Sequence, residues 1–288
     1  MSEYVIVADS ACDIEEEVLR EWGVPVVKLS YIFTDTEELH EDYEVEMKSF
    51  YKMMRDGRVA KTSASNTQQY LDLFTELYEQ GKDVLYIGFS TGLSTSYNSG
   101  CAAAEQLKKK YPERTCVPID SFAASAGYGL LVYLAVQKKK EGLSLQELAA
   151  YVTETREHLC HWFTVDDLVY LKRGGRISAA AAFVAGVLDI KPVLHVDNEG
   201  HLINMFKVRK RRPSIKALAD KYDELALHPE KGPIFICQGD CMEDAEYLSK
   251  LLMERHNVPV DKIVYTGAVI GAHSGPGTLA LFFLGKEK

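Results

Sequence analysis

Two hydroxyl-rich segments hold the residues best suited to chemistry. Gly88-Phe89-Ser90-Thr91-Gly92-Leu93-Ser94-Thr95-Ser96-Tyr97-Asn98-Ser99-Gly100 carries four Ser and two Thr between a strand pattern and a helix pattern. Lys61-Thr62-Ser63-Ala64-Ser65 precedes another helix start. Hydroxyls at helix N-termini offer neutral donors, aided by exposed N–H groups, and two such clusters suit one small anion, a carboxylate or a phosphate. Helix capping accounts for Ser65 but leaves Thr62, Ser63 and Ser94 without a role. Gly271-Ala272-His273-Ser274-Gly275-Pro276-Gly277 reads as a tight loop in which His273 donates to an anion or braces a neighbouring side chain.

A second chemistry competes for the same turn. Gly88-x-Ser90-x-Gly92 has the spacing of a nucleophile elbow, and Asp120 or Asp189 with His201 or His273 completes a Ser–Asp–His order for a serine esterase. No HGGG-type oxyanion segment precedes it. Metal chemistry has little support, because His158-x-Cys160-His161 and Cys237-x3-Cys241 lack a second pair at zinc spacing. Neither a P-loop nor a G-x-G-x-x-G is present, so no nucleotide cofactor is expected. Two basic stretches, Leu171–Ser178 and Lys207–Arg212, suit a partner or nucleotide-phosphate surface on an otherwise acidic chain, with Arg173 and Arg209 as the expected docking cations.

The elements that position these residues alternate. Tyr4–Ala8, Val84–Phe89 and Cys116–Ile119 read as buried strands, and they end in Asp9-Ser10, Ser90-Thr91 and Asp120-Ser121. Asp13 with Glu16, and Ser65 with Gln68, read as capping boxes. Helices follow through Cys101–Lys110 and Ala123–Lys140, giving a parallel sheet covered on both faces, with ligands expected outside the carboxyl ends of its strands. After a helix capped by Ser144 and Glu147 the texture changes. Phe163–Leu171, Pro192–Val196, His201–Lys207, Pro233–Cys237 and Lys262–Ile270 read as strands, with helices over Pro213–Leu225 and Met242–His256. The expected architecture is α/β in two domains: a Rossmann-like α/β/α domain over residues 1–160, and an α/β domain with a mixed sheet over 161–288.

The 288 residues include 33 Lys plus Arg against 42 Asp plus Glu, a formal charge of −9. That balance argues against a nucleic-acid binder. Hydrophobic residues make up 47%, enough to bury a sizeable core. The start Met1-Ser2-Glu3-Tyr4 has no basic n-region, and the apolar runs fall short of the ~20 residues a bilayer span requires. Six scattered Cys read as reduced thiols in a cytoplasm.

Five segments together resemble the DegV family of bacterial fatty-acid-binding proteins: Ile6-Val7-Ala8-Asp9-Ser10, Lys61-Thr62-Ser63, the Gly88–Gly100 loop, Leu171–Ser178, and His273 with Gly275-Pro276-Gly277. Ala64-Ser65 stands where the family often has Pro, and Thr95 where Gly is common. The resemblance implies a long-chain fatty acid buried between two domains. It also implies a carboxylate held at Thr62 and Ser94, with Ser63 and His273 as neighbours. Carriers of this family present that carboxylate to a separate ATP-dependent fatty-acid kinase for phospholipid synthesis. The tail is expected against Ala179–Leu188 and the Ala123–Val136 helix.

Overall fold

The computed structural model describes residues 3–178 and 189–288. Strands β1 (Tyr4–Asp9), β2 (Val26–Val27), β6 (Asp83–Gly88) and β7 (Cys116–Asp120) form one sheet in the order β2-β1-β6-β7, parallel throughout. β1 and β6 are buried along their whole length, as expected of parallel strands covered on both faces. β3 (Ser30–Phe33), β4 (Leu39–Glu41) and β5 (Ala60–Ser63) make a small antiparallel sheet in the order β4-β3-β5.

The second large sheet has six strands. They are β8 (Leu159–Thr164), β9 (Ile190–Val196), β10 (Leu202–Arg209), β11 (Phe235–Gln238), β12 (Lys262–Tyr265) and β13 (Leu279–Leu284), in the order β10-β9-β8-β13-β11-β12. Only β11 and β12 run parallel, so the sheet is mixed. Side chains alternate across it with period two. Ala280 and Phe282 of β13 join the core shared with Ile6, Leu85 and Ile87 of the parallel sheet. Leu281 and Phe283 face a separate core under helices Arg211–Leu225 and Met242–His256. Helix Ser125–Lys140 packs on β1 as well as on β8, β11 and β13. It is apolar nearly all round, as a helix between two sheets must be.

Several expectations are corrected. Asp13 does not cap a helix: it stands in the left-handed region after a 3-10 turn, and its carboxylate accepts from Ser125 Oγ. The box expected at Ser65 and Gln68 lies one residue on, where Asn66 and Gln69 exchange bonds of 2.9 and 3.1 Å. The Ser65 N–H instead donates to Ser96 Oγ. Phe163–Leu171 is not one strand, because β8 ends at Thr164 and Val169–Arg173 is helical. Lys262–Ile270 divides likewise into β12 and helix Ala268–Ser274. His273 therefore sits at the end of a helix and not in a loop. Among the described residues no helix is long and apolar enough to cross a membrane.

Candidate functional site

The strand-end carboxylates Asp9 and Asp120 shape the serine-rich loop and are not among the residues that line the cavity described below. Asp9 accepts from the N–H groups of Phe89 at 3.0 Å and Ala11 at 3.2 Å. Burial, outweighing those bonds, pushes its carboxyl up to about 7. Asp120 accepts from Thr91 Oγ1 and from the Phe122 N–H at 3.0 Å; it bridges two turns and caps no helix, since the following helix starts after Ala124 without a side-chain cap. These anchors hold the turn on either side of Ser90, at Phe89 and Thr91.

Ser90 is fully buried, and its hydroxyl donates to the Gly200 carbonyl at 2.9 Å. The same oxygen accepts from the Gly92 N–H at 3.1 Å. Gly92 packs so closely on Gly200 that a β-carbon there would strike its carbonyl, and Gly200 itself has φ +80°. The Gly-x-Ser-x-Gly spacing thus serves a close backbone approach between this turn and the β9–β10 hairpin. None of the expected triad partners reaches Ser90. Asp120 serves Thr91, the Asp189 carbonyl accepts from the Lys210 N–H, His201 faces Asp197 and Glu199, and His273 faces Thr62.

The carboxylate candidates do come together. Thr62, Ser63, Ser94 and His273 all line one cavity of about 410 Å3, within the range of small-molecule sites. Thr62 reaches it from strand β5, not from a helix N-terminus as its sequence context suggests. Ser94 sits in the turn before helix Ser96–Lys110. Ser96 links the two segments: its Oγ takes the Ser65 N–H at 3.1 Å and lies 3.0 Å from Ser94 Oγ. Thr62 Oγ1 lies 2.8 Å from His273 Nε2. Burial, with the positive Arg176 nearby, lowers His273 to about 4, so the ring is neutral at ordinary pH. The rest of the wall is largely apolar, with Leu29, Phe89, Leu93, Phe163, Val196 and Phe282 among its residues.

Sequence reasoning missed Arg176. It lines the cavity, whereas Arg173 stays exposed with its guanidinium 5.6 Å from the Tyr170 ring. Arg176 Nε donates to the Leu93 carbonyl at 3.0 Å and Nη1 to that of Gly174, tying the basic turn to the serine loop. Leu171 and Gly175 line the cavity too, so this turn is partly a cavity wall. Its two Gly are the signal that could have shown this. Gly174 lies against His273, where a β-carbon would collide with Nδ1. Arg209 is exposed at the end of β10. Of the residues expected to hold the tail, Ala179–Leu188 lie outside the described residues. In the Ala123–Val136 helix only the start, Ala124 and Ser125, lines the cavity, and Leu130, Leu131 and Val132 are core.

Comparison with known proteins gives one answer. A DegV domain-containing protein of Clostridium perfringens is 41% identical over 289 residues, covering 100% of this chain and 99% of that protein. A stearic-acid-binding protein from Eubacterium ventriosum is 29% identical, with a TM-score of 0.88 and 98% of each chain covered. DegV, a fatty-acid-binding protein from Bacillus subtilis, is 27% identical, with a TM-score of 0.85 over 99% of this chain and 100% of that one. Both solved relatives are fatty-acid-binding proteins. The model of the DegV family, described as uncharacterised protein, matches residues 3–286, and the chain belongs to that family.

Proposed function

We propose that this chain binds a long-chain fatty acid in the cavity between its two large sheets and presents the carboxylate to a separate ATP-dependent fatty-acid kinase. The kinase forms an acyl phosphate for phospholipid synthesis in a cytoplasm. The two units meant are residues 1–160 and 161–288. The observation that carries the reading is the polarity of the cavity wall. Thr62, Ser63, Ser94 and His273 gather uncharged hydrogen-bonding groups, while Leu29, Phe163, Val196 and Phe282 offer a hydrocarbon surface. At ~0.8 kcal/mol per buried CH2, ~14 methylenes contribute roughly 11 kcal/mol before the cost of ordering. The tail then supplies most of the affinity, and the hydroxyls fix where the head lies. Hydroxyl donors leave the carboxylate a better nucleophile than a direct ion pair would. Arg176 is consistent with that, because backbone carbonyls already take its Nε and Nη1.

The exposed cations Arg173 and Arg209 are the docking residues of this reading, suited to an acidic face of the kinase. Native mass spectrometry of freshly purified protein, with lipid extraction, tests the binding. One fatty acid per chain is expected. A chain that carries none and takes up none when offered it overturns the reading. Arg173→Ala tests the docking: the variant should keep its lipid and lose acyl-phosphate formation with the kinase. Loss of lipid from a folded Arg173→Ala variant would move that residue into the binding site.

A further inference from the structure

The mixed sheet leaves β10 open at one edge, and the register shows which of its backbone groups face outward. Among the described strands β10 pairs with β9 alone, antiparallel. In an antiparallel ladder, pairs that exchange hydrogen bonds alternate with pairs whose N–H and C=O groups point away from each other. The Lys210 N–H donates to the Asp189 carbonyl, so that pair is bonded. Alternation then makes Val208 with Lys191 and Phe206 with Val193 bonded pairs, and leaves Lys207 with Pro192 and Arg209 with Ile190 unbonded. Pro192, which has no N–H to give, fits an unbonded place. The N–H and C=O groups of Lys207 and Arg209 therefore point off the sheet, on alternate residues, as a further strand requires. A bulge between Asn204 and Phe206 confines the regular stretch to Phe206–Arg209.

The side chains of this stretch divide by face. Phe206 and Val208 turn toward the helices Arg211–Leu225 and Met242–His256, where with Pro213, Ala217 and Tyr247 they line a groove. Phe206 stays 37% exposed, and its neighbour Met205 48%. The Arg212 guanidinium lies 4.2 Å from the Tyr247 ring. Lys207 and Arg209 take the opposite face, both exposed. Nearby, Lys191 and Arg211 hold Asp166, and Arg211 also holds Asp244. Among the described residues Lys207, Arg209, Lys210 and Arg212 form no ion pair. Open N–H and C=O groups select a polypeptide, because a bilayer or a nucleic acid has no matching ladder to offer. The unpaired cations select an acidic one. They also disfavour a second copy of this chain, whose symmetric pairing would set the same charges against each other.

We propose that β10 receives an extended acidic segment of the partner protein as an added strand, hydrogen-bonded to the backbone of Lys207 and Arg209. The carboxylates of that segment lie toward the two cations, and an apolar side chain of it enters the groove beside Phe206. This deepens the kinase docking proposed above, of which Arg209 is a part, and rests on that reading.

The test measures binding of the kinase to the fatty-acid-loaded chain. Lys207→Pro removes an outward N–H and no bond of the β9–β10 ladder, and an edge strand accepts proline at such a place. It should weaken the complex about tenfold. Lys207→Ala keeps the N–H and loses only the charge, and should weaken it about threefold. Native mass spectrometry should find both variants loaded with lipid like the parent. Hydrogen-exchange NMR of the parent needs no variant: the Lys207 and Arg209 amides should exchange more slowly in the complex than in the free chain. If Lys207→Pro binds the kinase like the parent, or loses no more than Lys207→Ala, the added strand falls and the kinase reading stands. Unchanged exchange at both amides in a complex that forms overturns it as well, and does so even where the proline variant fails to fold. A dimer of the free chain that Lys207→Pro dissolves would make a second copy the occupant and overturn it too. If the kinase does not bind the parent, the kinase reading falls and takes this one with it.

Discussion

Thr62 Oγ1 and His273 Nε2 lie 2.8 Å apart although 211 positions separate them in sequence. The direction of that bond decides what Thr62 can do. His273 Nδ1 has no partner among the described residues. A buried N–H without an acceptor is rarer and costlier than an unpaired lone pair, so the proton belongs on Nε2. Nε2–H then donates to Thr62 Oγ1, and the threonine hydroxyl proton is left to point elsewhere, which in the proposed function is a carboxylate oxygen. A neutral histidine thereby orients a hydroxyl without adding charge.

Gly174→Ala should break this arrangement from outside the hydrogen bond. Gly174 has φ −73°, which alanine adopts readily, so backbone strain plays no part. The new methyl group would collide with His273 Nδ1 and push the ring off Thr62. A hydrogen bond to a charged group contributes ~1.5–3 kcal/mol, so fatty-acid affinity should fall about tenfold or more. Titration calorimetry reads this. Unchanged affinity, with His273 ring resonances unshifted in NMR, would show that the ring does not orient Thr62.

Thr62→Val and Ser94→Ala should each weaken fatty-acid binding by ~1.5–3 kcal/mol without abolishing it, since the tail supplies several times more. In the proposed function both hydroxyls address one carboxylate, so the double variant should lose less than the sum. Acyl-phosphate yield with the kinase should suffer more than affinity, because transfer requires a fixed head. A double-mutant cycle with both readouts checks this. Parent-like behaviour of all three variants would place the carboxylate elsewhere.

The uneven legibility of the chain has physical reasons. β1 and β6 are plain because strands buried on both faces read as continuous apolar runs, and β7, half-buried at the sheet edge, still reads as a short apolar run. β13, central to the mixed sheet, has the same apolar texture in Leu279–Leu284, yet it follows Gly275-Pro276-Gly277 so closely that the local signal is that of a turn. β2–β5 escaped because two to four residues leave no periodicity to read. Thr62, Ser63, Ser94 and His273 were legible as hydroxyls and a histidine that capping could not absorb. Arg176 was not, since nothing local in Arg-Gly-Gly-Arg separates the cation that faces a cavity from the one that faces water.

Asp42 gives a pH dependence of known sign. It is buried, accepts from Ser10 Oγ at 2.7 Å and the Val269 N–H at 3.2 Å, and burial pushes it up to about 7 from an ordinary 3.8. With its folded value above the unfolded one, the native state holds the extra proton. Its stability contribution is therefore fully present below about pH 4 and is lost as pH rises to about 7, at up to ~1.4 kcal/mol per unit. Asp42→Asn removes the titration. The stability of the parent relative to this variant should decline by a few kcal/mol across that window, measured by denaturant unfolding at several pH values. A constant difference would mean that Asp42 titrates normally.

Ser90 tests whether the elbow-like turn is structural. Ser90→Ala removes the donor to the buried Gly200 carbonyl and the acceptor for the Gly92 N–H. Leaving buried partners unpaired costs ~1–3 kcal/mol, and the unfolding free energy should fall by about that much. Gly200→Ala should cost more. It forces a side chain into φ +80° and drives a β-carbon onto Ser90 Oγ. Neither change should alter ester turnover, because the parent should show none and should resist a fluorophosphonate probe. The same bond explains both expectations: a hydroxyl that donates to a backbone carbonyl, with no histidine beside it, has no base to take its proton. Stoichiometric labelling of Ser90 in the parent, or an alanine variant as stable as the parent, would show that the Gly200 bond does not hold in solution and would return the turn to nucleophilic chemistry.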